Sequence, residues 1–409
     1  MTDERRGTTG GRQGLDPAVR AMVASGALSR RSFLRGLGLG GGLIVGSSLL
    51  AACGIRPGGG DAPVGAGAGG DGSKLVFANW PLYIDQDDDG NSETLAMFQA
   101  EYGIDVEYLE EVNSNDEWFA RFQAQLSAGQ PIGRDLTSLT DYMAARMIQL
   151  GWVQEIDQSN VPNLANMLPA LKDVSFDPGR KRSVTWQSGF TGIGYNPTLT
   201  GRPLTSINDL FDPAFAGKVA FLSEMRDTSG LVMAAMGVDP ETHDFADFEA
   251  AVAKIDEASK SGQIRRLTGN DYSGDLVSGD LVACVAWSGD IIQLQLDNPD
   301  LEFVMPSDGG YLWSDNLMIP NGAANKEGAE AMMDFVYRPD IAAQIAAYVN
   351  FITPVAGAQE AIADIDPELA ENELIFPSAE TLANTFEYRV LDEEEERARQ
   401  DLFQTLIVG

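Results

Sequence analysis

Between Gly309 and Asn316 the chain reads Gly-Gly-Tyr-Leu-Trp-Ser-Asp-Asn, which sets Trp313 two residues ahead of Asp315. Upstream, Ala286-Trp-Ser-Gly-Asp290 places Trp287 three residues before Asp290, and Leu222 to Gly230 carries Glu224 and Asp227 on either side of Arg226. Each residue has an ordinary use. A tryptophan fills a core, an aspartate near a helix start complements the helix dipole, and Arg226 between two acids forms a structural ion pair. Taken together, three segments that supply acids, two of them with a tryptophan, point to a different chemistry. An alkylammonium group needs carboxylates for charge-assisted hydrogen bonds, about 1.5–3 kcal/mol each, and aromatic faces for cation–π contact, about 0.5–2 kcal/mol. A cage for a small polycation is the expected product, with Glu224, Asp227, Asp290 and Asp315 as its carboxylates.

Other chemistries lack their parts. His243 is the single histidine, so no Cys/His zinc cluster can form, and no G-x-S-x-G elbow occurs. Two G-x-G-x-x-G matches, Gly36–Gly41 and Gly65–Gly70, fall outside any strand-to-helix turn and are not nucleotide fingerprints. Only carboxylate-based catalysis stays open, with an acid pair roughly 5–10 Å apart across a sugar. Asp85, Asp87, Asp89, Gly90 and Glu93 follow the first half of a calcium loop, but Ala96 stands where the closing bidentate glutamate belongs. A solvated acidic loop is expected there, with no metal and no cofactor. His243, just after Asp239-Pro240, is expected at the surface, Cys284 as a buried filler in an apolar run, and the acidic stretch Leu391 to Arg399 as the exposed face of a C-terminal helix.

The N-terminus carries export signals. Ser29-Arg30-Arg31-Ser32-Phe33-Leu34 is a twin-arginine pattern followed by an apolar run to Leu50, and Leu50-Ala51-Ala52-Cys53 resembles a lipobox whose cysteine is lipidated. Residues 1–52 are therefore expected to be a signal peptide, and residues 53–73, rich in Gly and Ala, a flexible tether. The sequence implies an exported protein held by lipid at the outer face of the cytoplasmic membrane. Without residues 1–52 there remain 21 basic and 58 acidic residues, a charge near −37. Such a surface repels nucleic acid and draws in cations, although a general acidic bias would look the same.

From Lys74 the pattern alternates β and α. Strands are expected at 74–79, 104–108, 135–140, 218–222, 280–287, 301–305 and 316–319, with helices over 95–102, 115–129, 142–150, 245–258, 329–337 and 341–348 and starting near 229 and 291. This places Trp287 and Asp290 at the carboxyl end of a strand, and Trp313 and Asp315 in a glycine-led loop before one. An α/β fold of two lobes with a ligand cleft between them fits the length.

From about Leu75 to Leu406 the chain resembles the spermidine/putrescine-binding components of bacterial ABC importers. The likeness rests on Asn79-Trp80-Pro-Leu-Tyr83, Phe98 to Val106, Asp141-Tyr142, Gly189-Phe-Thr-Gly-Ile-Gly-Tyr-Asn196, Ser223 to Thr228, Ala286 to Asp290, Gly309 to Asn316 and Thr353-Pro354, in that order. It implies the two-lobed periplasmic-binding-protein fold of type II. Lobe 1 would comprise 74–187 plus about 312–352, and lobe 2 188–311 plus about 353–409. It also implies Trp80, Tyr83, Tyr142, Trp287 and Trp313 as the aromatic walls of a polyamine site, a membrane permease as partner, a monomer, and binding without catalysis. Three departures bear on selectivity: Pro81-Leu82 in place of polar or acidic residues, the insertion Asp85 to Asn91, and Phe351 where tyrosine is common. A different small solute in the same fold is the alternative they leave open.

Overall fold

The computed structural model describes residues 72–408 apart from 88, 364, 365 and 390. The expectations for the signal peptide, for Cys53 and for the tether up to residue 71 therefore lie outside the described residues. Two groups of parallel strands carry the architecture. The first is β1 (Lys74–Asn79) flanked by β2 (Asp105–Glu110) and β3 (Leu136–Thr140). The second is β5 (Val219–Leu222) flanked by β6 (Ile264–Thr268) and β7 (Ala283–Trp287). Two long strands join them: β4 (Val184–Tyr195) and β9 (Gly310–Met318), antiparallel to each other. The full order is β2-β1-β3-β9-β4-β7-β5-β6, with β8 (Glu302–Val304) added to β4 and β10 (Thr385–Phe386) to β9.

Together the joining strands link the two groups. One end of β9 pairs with β3 through Asp315–Thr140 to Met318–Thr137, and the far end of β4 pairs with β7 through Thr191–Trp287 to Tyr195–Ala283. Between Thr185 and Ser188 the β4–β9 register shifts, the kind of irregularity that bends a strand and increases its twist. β4 is buried along its whole length, which is why it reads as a glycine-rich apolar run without alternation.

Helices fill the returns between strands: α1 (Glu93–Tyr102), α2 (Asn115–Ser127), α3 (Asp141–Gln149), α4 (Met225–Ala235), α5 (Phe245–Lys260), α6 (Tyr272–Ser278), α7 (Ser288–Leu294), α8 (Lys326–Val336), α9 (Pro339–Val349) and α10 (Glu393–Val408). Ser92 caps α1 by accepting from Leu95 N at 3.1 Å, and Gly103 ends it in the left-handed conformation. Cys284 sits fully buried in β7, where burial pushes its thiol well above the usual range.

Several local expectations are corrected. Asp85 points inward, accepting from Thr94 N, from Gln344 Nε2 and from Ser92 Oγ, so its loop is pinned by a buried carboxylate and is not simply solvated. His243 is buried, because α10 covers it: its Nδ1–H donates to Pro240 O at 2.8 Å and Nε2 accepts from Arg399 at 2.5 Å. The acidic stretch at the start of α10 is likewise not one exposed face, since Glu396 and Arg399 are both buried. Trp313 and Asp315 lie inside β9, not in a loop that precedes a strand.

Close approach explains one glycine of β4. A Cβ at Gly189 would stand 2.6 Å from the Trp313 ring and 2.9 Å from Phe351. Gly189→Ala is expected to lower stability by roughly 1–3 kcal/mol through overpacking, read from the denaturation midpoint. An unchanged midpoint would mean that the Trp313 ring has room to retreat.

Candidate functional site

The parallel strands of both groups deliver side chains to one place from their carboxyl ends, where open α/β sheets bind ligands. Trp80 follows β1, Asn115 begins α2 after β2, and Tyr142 lies in the first turn of α3 after β3. Glu224 occupies the N-cap position of α4 after β5, with Asp227 in that helix's first turn. Asn270 follows β6, Trp287 ends β7, and Asp290 lies in the first turn of α7. From β9, Trp313 and Asp315 project to the same side, while Leu312 and Ser314 face a second cavity, as the period of two requires. All nine residues predicted to bind ligand line this one cavity: Trp80, Tyr83, Tyr142, Glu224, Asp227, Trp287, Asp290, Trp313 and Asp315.

Each carboxylate is held by named donors. Asp315 accepts from Tyr83 OH at 2.9 Å and from Thr140 Oγ1 at 2.7 Å. Glu224 accepts from Tyr142 OH at 3.1 Å and from the Asn115 backbone N–H at 3.4 Å. Asp227 accepts from Thr191 Oγ1 at 2.5 Å and from Trp287 Nε1 at 3.0 Å, and Asp290 accepts from Tyr272 OH at 2.6 Å. The positive ends of α4 and α7 lie under Asp227 and Asp290 and favour their ionised forms. Aromatic rings close the remaining walls, with Phe351 edge-on to both Tyr83 and Trp313 at 5.4 Å between centroids.

Among the described residues no basic side chain lines the cavity, and Arg226, one residue from Asp227, instead pairs with Glu396. Burial therefore acts on the acids with little to oppose it. It pushes Glu224 up to about 8, helped by the charges of Asp116 and Asp227, and Asp315 up to about 7, while Asp227 and Asp290 rise to about 6. Hydrogen bonds from the neighbouring hydroxyls pull the other way without cancelling the effect.

Sequence reasoning missed the supporting polar residues. Ser114 caps α2, accepting from Glu117 N, so Asn115 lies inside the helix's first turn. That frees the Asn115 amide to bracket Thr140: its Nδ2 donates to Thr140 Oγ1 at 2.9 Å, and its Oδ1 accepts from Thr140 N at 3.0 Å. Thr140 in turn orients Asp315. Thr191 and Tyr272 hold Asp227 and Asp290 in the same way, and none of these residues carries a local signal beyond its position on a strand or helix.

The acids set the pH response of the empty protein. Their folded pKa values lie above ordinary carboxylate values, so the folded state holds extra protons. That contribution to stability is fully present below about pH 4 and is lost as pH rises through about 6 to 8. We expect apo stability to fall across this window by up to roughly 1.4 kcal/mol per pH unit for each group involved, as followed by thermal melts. Asp315→Asn should flatten the slope up to about pH 7; a slope identical to wild type would remove Asp315 as a contributor.

Comparison with known proteins places this geometry in context. Residues 93–377 match the model of a family described as bacterial extracellular solute-binding protein. The chain is similar to the spermidine/putrescine-binding periplasmic protein of Escherichia coli (strain K12), 27% identical over 315 residues, 77% of this chain and 86% of that one. It is also similar to the putrescine-binding periplasmic protein PotF of the same strain, 27% identical over 345 residues, 80% of this chain and 89% of that one. Among solved structures, the spermidine/putrescine ABC transporter substrate-binding protein PotD of Streptococcus pneumoniae superposes with a TM-score of 0.67 at 27% identity, covering 82% of this chain and 98% of that one.

Proposed function

The chain belongs to the bacterial extracellular solute-binding proteins, substrate-binding components of transporters and not enzymes, and on that footing we propose that it captures a polyamine in the cleft for an ABC importer. The observation that carries the proposal is a cavity with four buried or largely buried carboxylates, three tryptophans and, among the described residues, no basic side chain. Burial shields the acids from bulk water, and among the described residues no basic side chain enters the cavity to pair with them, so an alkyl diamine or triamine supplies what the site lacks. Its ammonium groups bond to the carboxylates, and its methylenes lie against Trp80, Trp287 and Trp313. Glycan hydrolysis by an acid pair is set aside by the family.

The finer parts of the proposal rest on sequence and family likeness. The lobes meet within β4 after Gln187 and within β9 near Leu312, and close over the ligand as a hinge. Cys53 is the lipidated anchor that keeps the exported monomer at the outer face of the cytoplasmic membrane, where it delivers its ligand to the permease. Pro81 and Phe351 bring apolar side chains to the lining, where they offer an ammonium group no charged hydrogen bond. The same feature supports a second reading, a non-amine solute with a single cationic end, which a competition panel would reveal by outbinding every polyamine.

Binding of ammonium stabilises the ionised acids, so it lowers their pKa values and releases protons. Calorimetry with putrescine and spermidine should give saturable one-to-one binding that survives physiological salt, tightens from about pH 6 to about pH 8, and releases protons detectable in buffers of different ionisation enthalpy. Asp315→Asn should weaken it at least about tenfold, the equivalent of one lost charged hydrogen bond. Heat that vanishes with salt would mean only that an acidic surface attracts cations, and unchanged affinity in Asp315→Asn would take that residue out of the site.

A further inference from the structure

Arg226 is the basic residue nearest in sequence to the site acids, lying between Glu224 and Asp227 at the start of α4. It is an amine mimic built into the site helix, and it is buried. Its guanidinium carbon stands 3.7 Å from the centroid of the Tyr142 ring, the same tyrosine whose hydroxyl bonds Glu224. Two nitrogens of the fork bind the Glu396 carboxylate, NH1 at 3.3 Å and NH2 to the other oxygen. Glu396 comes from α10, far along the chain, and does not line the amine cavity. Four residues on, one helical turn along the same face, Gln400 Nε2 donates to Asp116 at 2.5 Å in the first turn of α2.

We propose that Glu396 is a positioning residue of the amine site: by holding Arg226 against the Tyr142 ring, it keeps that guanidinium off the carboxylates that the ligand needs. The inference rests on the polyamine reading of the cleft. Its physical basis is competition for a single cation. The Arg226 charge already reaches Asp116 and Asp227, pulling both acids down against their burial. Without Glu396 the guanidinium would be a buried charge with no partner, an arrangement that does not persist when acids stand nearby. Those acids are Asp116 and Asp227, and an arginine fork suits a carboxylate better than any ammonium does. The site would then close on its own side chain. Two neighbours keep Gln400 and Glu396 in register: Arg399, whose NH2 bonds Glu395 at 2.6 Å and whose NH1 bonds His243, and Arg389, which also pairs with Glu395.

The test compares full-length wild type, E396Q and the double variant R226Q/E396Q by calorimetry with putrescine and spermidine at physiological salt, with thermal melts as the check on folding. Absence of wild-type binding would sink the amine reading and this inference with it. With wild-type binding in hand, the inference is judged by the variants alone. E396Q should bind about tenfold or more weakly and release fewer protons, because Arg226 has already ionised the acids it occupies. R226Q/E396Q should return to within about threefold of wild type, since the competing cation is gone. A pair needed only for structure would leave the double variant as weak as E396Q or weaker. That result overturns the proposal, as does wild-type affinity and proton release in E396Q. If E396Q does not fold, the double variant decides: affinity close to wild type supports the role, and a loss of about tenfold or more refutes it.

Discussion

Burying a carboxylate without a counter-charge is among the more costly things a folded chain can do, and this protein does it several times around one cavity. Burial shifts Glu224 and Asp315 furthest toward their neutral forms, which lowers that cost, and Asp227 and Asp290 sit at helix starts. Neighbouring hydroxyls and an indole N–H contribute the rest. The arrangement is a stored deficit of positive charge, and in the function proposed for the cleft ligand affinity is the relief of that deficit. The aromatic walls matter for the same reason: their Trp287 and Tyr donors are already engaged with the acids, and they present π faces that attract a cation.

Such a site needs a scaffold that does not yield. Acids that repel one another would move apart on flexible loops, so they are carried at strand ends and helix starts and, in Asp315, on a central strand. β9 pairs with one strand group, β4 with the other, and the two pair with each other, so the sheet runs unbroken from one group to the next. Small residues let this floor pack tightly. The absence of a side chain at Gly189 admits the Trp313 ring, and the β4–β9 register shift turns the strand where the two groups meet. Position in the sheet, more than any one hydrogen bond, fixes the distances among the acids.

Much of this was legible in the sequence because tryptophans and acids beside strand ends are unusual in type as well as in position. Trp287 with Asp290 and Glu224 with Asp227 could be placed from the apolar runs before them. Trp313 and Asp315 do line the cavity, but they were placed in the wrong local structure. A strand buried on both faces lacks the polar alternation that would have extended β9 back to Gly310, and for the same reason β4 left no periodic trace. What stayed hidden was long-range. Asn115 bracing Thr140, Asp85 turned inward toward Gln344, and Glu396 reaching Arg226 join segments from 25 to 259 residues apart, and no local window holds both partners. His243 and the acidic start of α10 misled for that reason: a charge-rich helix looks solvated until the surface it covers is known.

Cys284 has a practical meaning beyond its role as a filler. Lying fully buried in β7 with its thiol held in the protonated form, it is shielded from alkylating reagents while the protein is folded. With Cys53 lipidated or removed, a cysteine introduced at the rim of the cleft would thus be modified selectively, and a fluorophore attached there would report on the cavity without a second label in the body. Reaction at Cys284 itself would become a clock for unfolding, its rate counting the moments at which β7 leaves the sheet.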